Sequence, residues 1–171
     1  MKLLEVIKIP HPTLRKKAHE VRAFGADFQE FVDDMVLTMR EEDGVGLAAP
    51  QVNQSMRLIV VEYPLDDTKE DAEPKLFVMV NPHIVKRSAE TVMGMEGCLS
   101  VPEIVGEVER AEKVEVRGLN RHGKKMKVRA KGWLARVFQH EIDHLDGVLF
   151  VDRATQLWKA SDPEITQAEQ V

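Results

Sequence analysis

The sequence predicts an α+β fold, with antiparallel or mixed β-sheets packed around a central helix. Apolar residues recur at helical spacing in two segments, one near the N-terminus and one around residue 140. Shorter runs between them are either continuously apolar or alternate with polar residues, and turn residues join them. Runs of strands beside a few helices are typical of the α+β class.

The first helix is predicted over about residues 27–41, with Asp27 as its N-cap. The apolar side chains that follow helical spacing there are Phe28, Phe31, Val32, Met35, Val36 and Met39. Such an amphipathic helix presents one stripe to the core.

The middle of the chain is predicted to form strands at 57–62, 76–80, 84–86, 90–92, 105–109, 114–119 and 125–130. The pair Asn81-Pro82 should end the second of these, because proline cannot donate to a strand ladder. Asn120-Arg121-His122-Gly123 predicts a hairpin turn. A second helix is predicted over 133–145, ended by Gly147, and a short helix around 152–160.

Size and composition predict one catalytic domain over residues 1–171, with a polar tail from about residue 161. The net charge is −5 and both signs are mixed, so no direct nucleic-acid site is expected; the basic run at 124–127 is interpreted as a solvated hairpin. A single cysteine, Cys98, fits a reducing compartment. Without a signal peptide or a stretch of about 20 apolar residues, a cytoplasmic location is expected and no membrane contact. A mature organellar form is the alternative.

His140 and His144 lie four residues apart, which places both imidazoles on one helix face where they can hold a divalent metal. Glu141 between them could reach a water activated by that metal. These residues indicate a metallohydrolase, but a third ligand must come from elsewhere.

Cys98 is the best candidate for that ligand. A metzincin protease would need a histidine where this chain has Phe150, and the downstream acids Glu164 and Glu169 lie in a polar tail. A thiolate binds Zn²⁺ and Fe²⁺ well, and the neighbouring Gly97 allows a close backbone approach. An inert buried cysteine is the alternative interpretation.

Three segments resemble the motifs of peptide deformylases, in that family's order: 44–51 (GVGLAAPQ), 96–100 (EGCLS) and 139–145 (QHEIDHL). The resemblance covers about residues 5–153, and the sequence is similar to the bacterial form of the family. It implies removal of the formyl group from the N-terminal formyl-methionine of nascent polypeptides, with release of formate. The nascent peptides are the expected partners, and the ribosome exit region is a further one.

The resemblance also implies roles for individual residues. One divalent metal would bind Cys98, His140 and His144; Fe²⁺ is expected in the cell, with Zn²⁺, Ni²⁺ or Co²⁺ as substitutes. Glu141 would carry the proton, and the Gln51 amide and the Leu99 backbone N–H would hold the oxyanion, with Gly46 in the same catalytic group. The residues expected to bind the peptide are Gly44, Val45, Gly46, Glu96, Gly97, Trp133 and Val137.

Some residues and the function itself have alternative interpretations. Glu96 could instead order the Cys98 loop, and Arg136 departs from the apolar residue that some relatives have. Asp143 is expected to pair with Arg110. Two other functions are considered. A zinc peptidase would need a third histidine, which this chain lacks at Phe150. A non-catalytic protein in which the metal only stabilises the fold would leave Glu141 without a role.

Overall fold

The computed structural model describes residues 1–163. The α-helices of this part are α1 (Ala26–Glu41), α2 (Gly132–Leu145) and α3 (Phe150–Arg153), and short 3-10 helices form at Pro12–Arg15 and Ala49–Val52. The strands are β1 (Gly46–Ala48), β2 (Leu58–Tyr63), β3 (Lys75–Arg87), β4 (Thr91–Cys98), β5 (Val101–Ala111), β6 (Lys113–Leu119), β7 (Lys125–Lys131) and β8 (Gln156–Lys159). No helix of this part is long and apolar enough to cross a membrane.

The strands form two sheets. The larger has the order β1-β2-β3-β6-β7, and the smaller has the order β4-β5-β8. Every pair of neighbouring strands is antiparallel. The α+β class is confirmed, and the sheets are antiparallel rather than mixed.

The larger sheet is buried on both faces near β2. Leu58 and Val60 point to a cluster that includes Val32 and Met35 of α1. The alternate residues Ile59 and Val61 point to a second cluster, which includes Val137, Phe138 and Leu145 of α2. Because successive side chains of a strand point to opposite faces, this arrangement explains the continuous apolar run.

Four local expectations were wrong. The strand β3 runs through Asn81-Pro82, because bulges between Val80 and His83 and between Ile84 and Lys86 absorb the irregularity. The segment after Gly44, for which no strand was predicted, forms the edge strand β1. Gly25 rather than Asp27 is the N-cap of α1, and residues expected to be helical after Arg153 form β8. The tail beyond residue 163 lies outside the described residues.

Helix α2 ends in a Schellman turn, in which Gly147 follows the C-cap residue Asp146. The Gly147 N–H donates to His144 O (3.2 Å) and the Val148 N–H donates to Asp143 O (3.0 Å). The φ of Gly147 is +74°, and a Cβ there would lie 2.5 Å from Arg15 O. Only glycine fits both constraints.

We therefore expect Gly147→Ala to lower the free energy of unfolding by about 2–4 kcal/mol, from the left-handed backbone and the clash together. Urea unfolding followed by circular dichroism measures it. Gly25→Ala is the matched control, because a Cβ at Gly25 meets nothing within 4 Å. Equal stability of the two variants would contradict this reading of the turn.

Candidate metal centre and active site

The helix α2 brings three chemically active side chains into the interior. His140, Glu141 and His144 are each at most 2% exposed. Cys98, at the end of β4, reaches the same point from the smaller sheet and is 2% exposed. Potential ligand atoms of Cys98, His140 and His144 all lie within 4.8 Å of one another.

The donor set fits a divalent metal. Cys98 Sγ lies 3.4 Å from His144 Nε2, and the two imidazole rings are 5.1 Å apart. His140 Nε2 is buried without a hydrogen-bond partner among the described residues. Buried polar atoms normally find a partner, so this nitrogen points to a ligand. A thiolate with two imidazoles suits Zn²⁺ or Fe²⁺, and leaves a position for water.

The protonation of the two imidazoles differs. Burial lowers the pKa of His144 well below its usual value, which favours the neutral ring that a metal needs. Burial opposes protonation of His140 too, but its interactions with Cys98 and Glu96 outweigh this effect and raise the pKa of His140 to about 10. A metal needs both rings in the neutral form, so metal binding and protonation of His140 compete.

Glu96 orients His140. Its Oε1 accepts from His140 Nδ1 at 2.9 Å, which leaves Nε2 for the metal. The same carboxylate accepts two hydrogen bonds from Arg110 and one from Arg136 at 2.7 Å. Burial disfavours its charge, but the hydrogen bonds from Arg110 and His140 hold the pKa of Glu96 well below its usual range. Both oxygens are thus occupied inside the protein.

The expected pairing of Asp143 is confirmed. Arg110 Nη1 donates to Asp143 Oδ2 at 2.6 Å, and Arg153 also donates to this carboxylate. Asp143 therefore extends the network around Glu96 towards the surface.

Glu141 faces a glycine in β1. A Cβ at Gly46 would lie 2.9 Å from both Cγ and Oε1 of Glu141, so only glycine leaves room for this carboxylate. Both carboxylate oxygens are buried and have no hydrogen-bond partner among the described residues. Burial raises the pKa of Glu141 to about 7.

Gln51 is held in one orientation. Its Oε1 accepts from the Ala48 N–H at 3.0 Å, which turns Nε2 towards Cys98 Sγ (3.5 Å) and Ser100 Oγ (3.2 Å). The Gln51 amide is therefore fixed beside the thiol, and Leu99 follows Cys98 directly in the chain, in a turn.

The remaining predicted residues lie around this centre at different depths. Gly44 is next to Leu99, whose Cδ1 would be 3.5 Å from a Cβ at Gly44. Val45 and Trp133 are partly buried against the cluster that includes Val137. Gly97 is buried in β4, directly before Cys98.

Arg136 is the important residue that the sequence did not identify. It is 3% exposed and donates to Glu96, to Val108 O and to Val92 O. Its guanidinium packs against Gly94, where a Cβ would lie 2.7 Å from Arg136 Cζ. Its position four residues before His140 was a usable signal, because it places Arg136 on the same helix face.

Comparison with known proteins identifies the family. A family model described as polypeptide deformylase matches residues 3–160. The peptide deformylase of Symbiobacterium thermophilum is 49% identical over 162 residues, which cover 95% of this chain and 71% of that protein. The peptide deformylase of Desulforudis audaxviator is 44% identical, with 95% and 100% covered.

Solved structures give the same result. The peptide deformylase of Thermotoga maritima is similar with a TM-score of 0.82 and 38% identity, covering 91% of this chain and 100% of that one. A class I type b peptide deformylase of Acinetobacter baumannii, solved with Met-Ala-Ser bound, has a TM-score of 0.81 and 43% identity, with 89% and 98% covered. The chain belongs to the polypeptide deformylase family.

Proposed function

We propose that the buried centre of Cys98, His140 and His144 hydrolyses the formyl amide of formyl-methionyl peptides, with Glu141 carrying the proton. Members of this family are metallohydrolases that remove formyl groups. The observation that carries the proposal is the buried Glu141 carboxylate, which lies beside three converging ligands and has no hydrogen-bond partner within residues 1–163.

One divalent metal would bind Cys98 Sγ, His140 Nε2 and a nitrogen of His144. We assign Fe²⁺ in the cell, with Zn²⁺, Ni²⁺ or Co²⁺ able to replace it, because sulfur and imidazole ligands suit all four. When bound, the metal supplies the Lewis acidity that makes water nucleophilic near neutral pH.

Glu141 acts as general base and then as general acid. A carboxylate with a pKa of about 7 can accept a proton from the attacking water and still return it. The proton goes to the amide nitrogen, so that the C–N bond breaks into formate and a free amine. Gly46 allows this carboxylate to lie directly against β1.

Gln51 and Leu99 stabilise the charge that develops on the formyl oxygen. The Gln51 amide donates from Nε2, and its orientation is fixed by Ala48. The Leu99 backbone N–H would donate from the turn after Cys98. Donors fixed in advance need no reorganisation during the reaction.

The peptide is proposed to bind along β1. This strand lies at the edge of the larger sheet, so an extended peptide can add to its free side. Gly44, Val45 and Gly46 would contact the backbone together with Gly97, and Trp133 and Val137 would line the methionine pocket. The Met-Ala-Ser bound to the Acinetobacter relative is a peptide of the size that such a site needs. Glu96 is assigned to positioning His140 rather than to the peptide, because its oxygens are already occupied.

Other expectations stand as parts of the same proposal. We assign the chain to one catalytic domain over residues 1–171 that works in the cytoplasm, near the ribosome exit region where formylated chains emerge.

Formate release from a formyl-Met peptide, after anaerobic purification and with metal analysis of the same sample, tests the function. We expect about one metal per chain and formate in step with free amine. The unformylated peptide is the control, and it should stay intact. Cleavage of its backbone would instead indicate a peptidase, and a metal-loaded protein that released no formate would overturn the proposal.

Gln51→Met keeps the size of the side chain and removes the donor. We expect kcat to fall by about 10²–10³-fold with little change in KM, because the lost hydrogen bond belongs to the transition state. Steady-state kinetics measure it, with the exposed Gln54→Met as the control. A change confined to KM would remove Gln51 from the oxyanion site.

A further inference from the structure

The part of the larger sheet that α1 leaves uncovered is strongly basic. The helix packs over the β1, β2 and β3 side of this face. Towards the β6–β7 hairpin it reaches Leu119 and the turn residue Arg121, which bonds Gln29 and Asp33. Paired residues of antiparallel strands share a face, so the outward rows beyond Leu119 can be identified from the register. We call these rows the basic face; its cations are Lys86, Lys113, Arg117, Lys125, Lys127, Arg129 and Lys131.

The positive charge of this face is only partly compensated. Within the rows the acidic residue is Glu115, whose side chain is 5% exposed and paired with both Arg117 and Arg129, and Asp66 and Glu20 lie at the margin. The side chains of these two arginines remain 57% and 74% exposed. The whole chain has a net charge of −5, so the cations are concentrated on one side of an acidic protein. The basic run at 124–127 is therefore part of a larger surface assembled from β3, β6 and β7.

The cations are regularly spaced. Lys125, Lys127, Arg129 and Lys131 follow one another at every second position of β7, about 7 Å apart, with Arg117 and Lys113 in the adjacent strand about 5 Å away. Two depressions lie on the surface here. Lys86, Lys113 and Lys131 contribute to one, and Arg117, Lys125 and Lys127 contribute to the other.

We propose that the basic face binds the phosphate backbone of structured RNA. Rows of exposed Lys and Arg without a base-reading element suit sequence-independent phosphate contacts. A lipid surface is less suitable, because residues 81–87 and 113–131 contain no Trp, Tyr or Phe to insert between headgroups. The inference rests on the proposed action on nascent chains, since the ribosome presents RNA where those chains emerge.

Binding there leaves the active site free. The strand β7 is one edge of the larger sheet and β1, which borders Glu141, is the other. Four strand spacings of about 4.8 Å separate the two edges. RNA on the basic face would hold the enzyme near its substrate without covering the peptide groove.

The test compares the wild type with K113E/K125E/K127E, all on the basic face and none in the catalytic machinery. The matched control K16E/K17E/K159E makes the same change of net charge at exposed lysines elsewhere. Fluorescence anisotropy with a labelled RNA hairpin of about 16 base pairs gives Kd at several salt concentrations. Vesicles of phosphatidylglycerol and phosphatidylcholine are the second probe, and formate release from a free peptide is measured on every sample.

We expect the basic-face variant to lose about 10²-fold in RNA affinity, with a salt slope smaller by about three, because each phosphate contact accounts for about one. The control should stay within about threefold of the wild type, and all three proteins should release formate equally. An equal loss in both variants, no RNA binding by the wild type at low salt, or stronger binding to vesicles than to RNA would overturn the proposal. A wild type that released no formate would count against the proposed function and not against RNA binding by the basic face.

Discussion

Glu141→Ala is expected to abolish formate release while the protein keeps its metal. The carboxylate is not among the three converging ligands, so the metal set of Cys98, His140 and His144 stays complete. What is lost is the group that accepts and returns the proton, and general acid–base catalysis typically contributes about 10²–10⁴-fold to a rate. Single-turnover assays with metal analysis of the same preparation measure both properties.

Two further variants make this result specific. Glu141→Gln keeps the shape of the side chain against Gly46, so a similar loss of rate would come from the missing base and not from a cavity. Glu112→Gln changes an exposed carboxylate and should behave like the wild type. If Glu141→Ala kept near-normal turnover, another group would have to carry the proton.

The local part of the site could be predicted from the sequence. The spacing of His140 and His144 places both on one helix face whatever the rest of the chain does. Cys98 needed more than periodicity, because it lies 42 positions before His140 in the sequence, and only its context and the family resemblance identified it. The amphipathic pattern of α1 was sufficient because its partner, the apolar β2, is also evident in the sequence.

The errors come from long-range contacts. The strand β3 tolerates Asn81-Pro82 because Asn81 adopts a φ of +51° and its side chain bonds the backbone of Val21, 60 residues away. Arg136, on α2, is buried because its charge is neutralised by Glu96, which lies on β4 of the smaller sheet. A charged residue in a helix is normally predicted to be exposed, and no local pattern reveals a partner at that distance.

The second large effect is expected for Glu96→Ala. Glu96 is fully buried and paired with Arg110 and Arg136, which are 5% and 3% exposed. Its removal leaves the buried Arg136 guanidinium without a carboxylate and Arg110 with Asp143 alone, and an uncompensated buried charge typically costs about 3–5 kcal/mol of stability. His140 Nδ1 also loses its acceptor, and loss of such a partner typically weakens metal binding about 10–100-fold. Urea unfolding of the metal-free protein and Co²⁺ titration measure the two effects separately.

A second substitution separates the burial of charge from a general loss of packing. If uncompensated charge is the cause, Glu96→Ala combined with Arg136→Met should be more stable than the sum of the two single variants predicts, because the double variant buries one cation fewer. Metal affinity should not recover in the double variant, since His140 still lacks its acceptor. Glu62→Ala is the control, because it breaks the exposed pair with Arg40 and should cost less than about 1 kcal/mol. Strict additivity of the two single variants would show that Arg136 and Glu96 do not depend on each other, and Arg136 would then have no part in holding the carboxylate against His140.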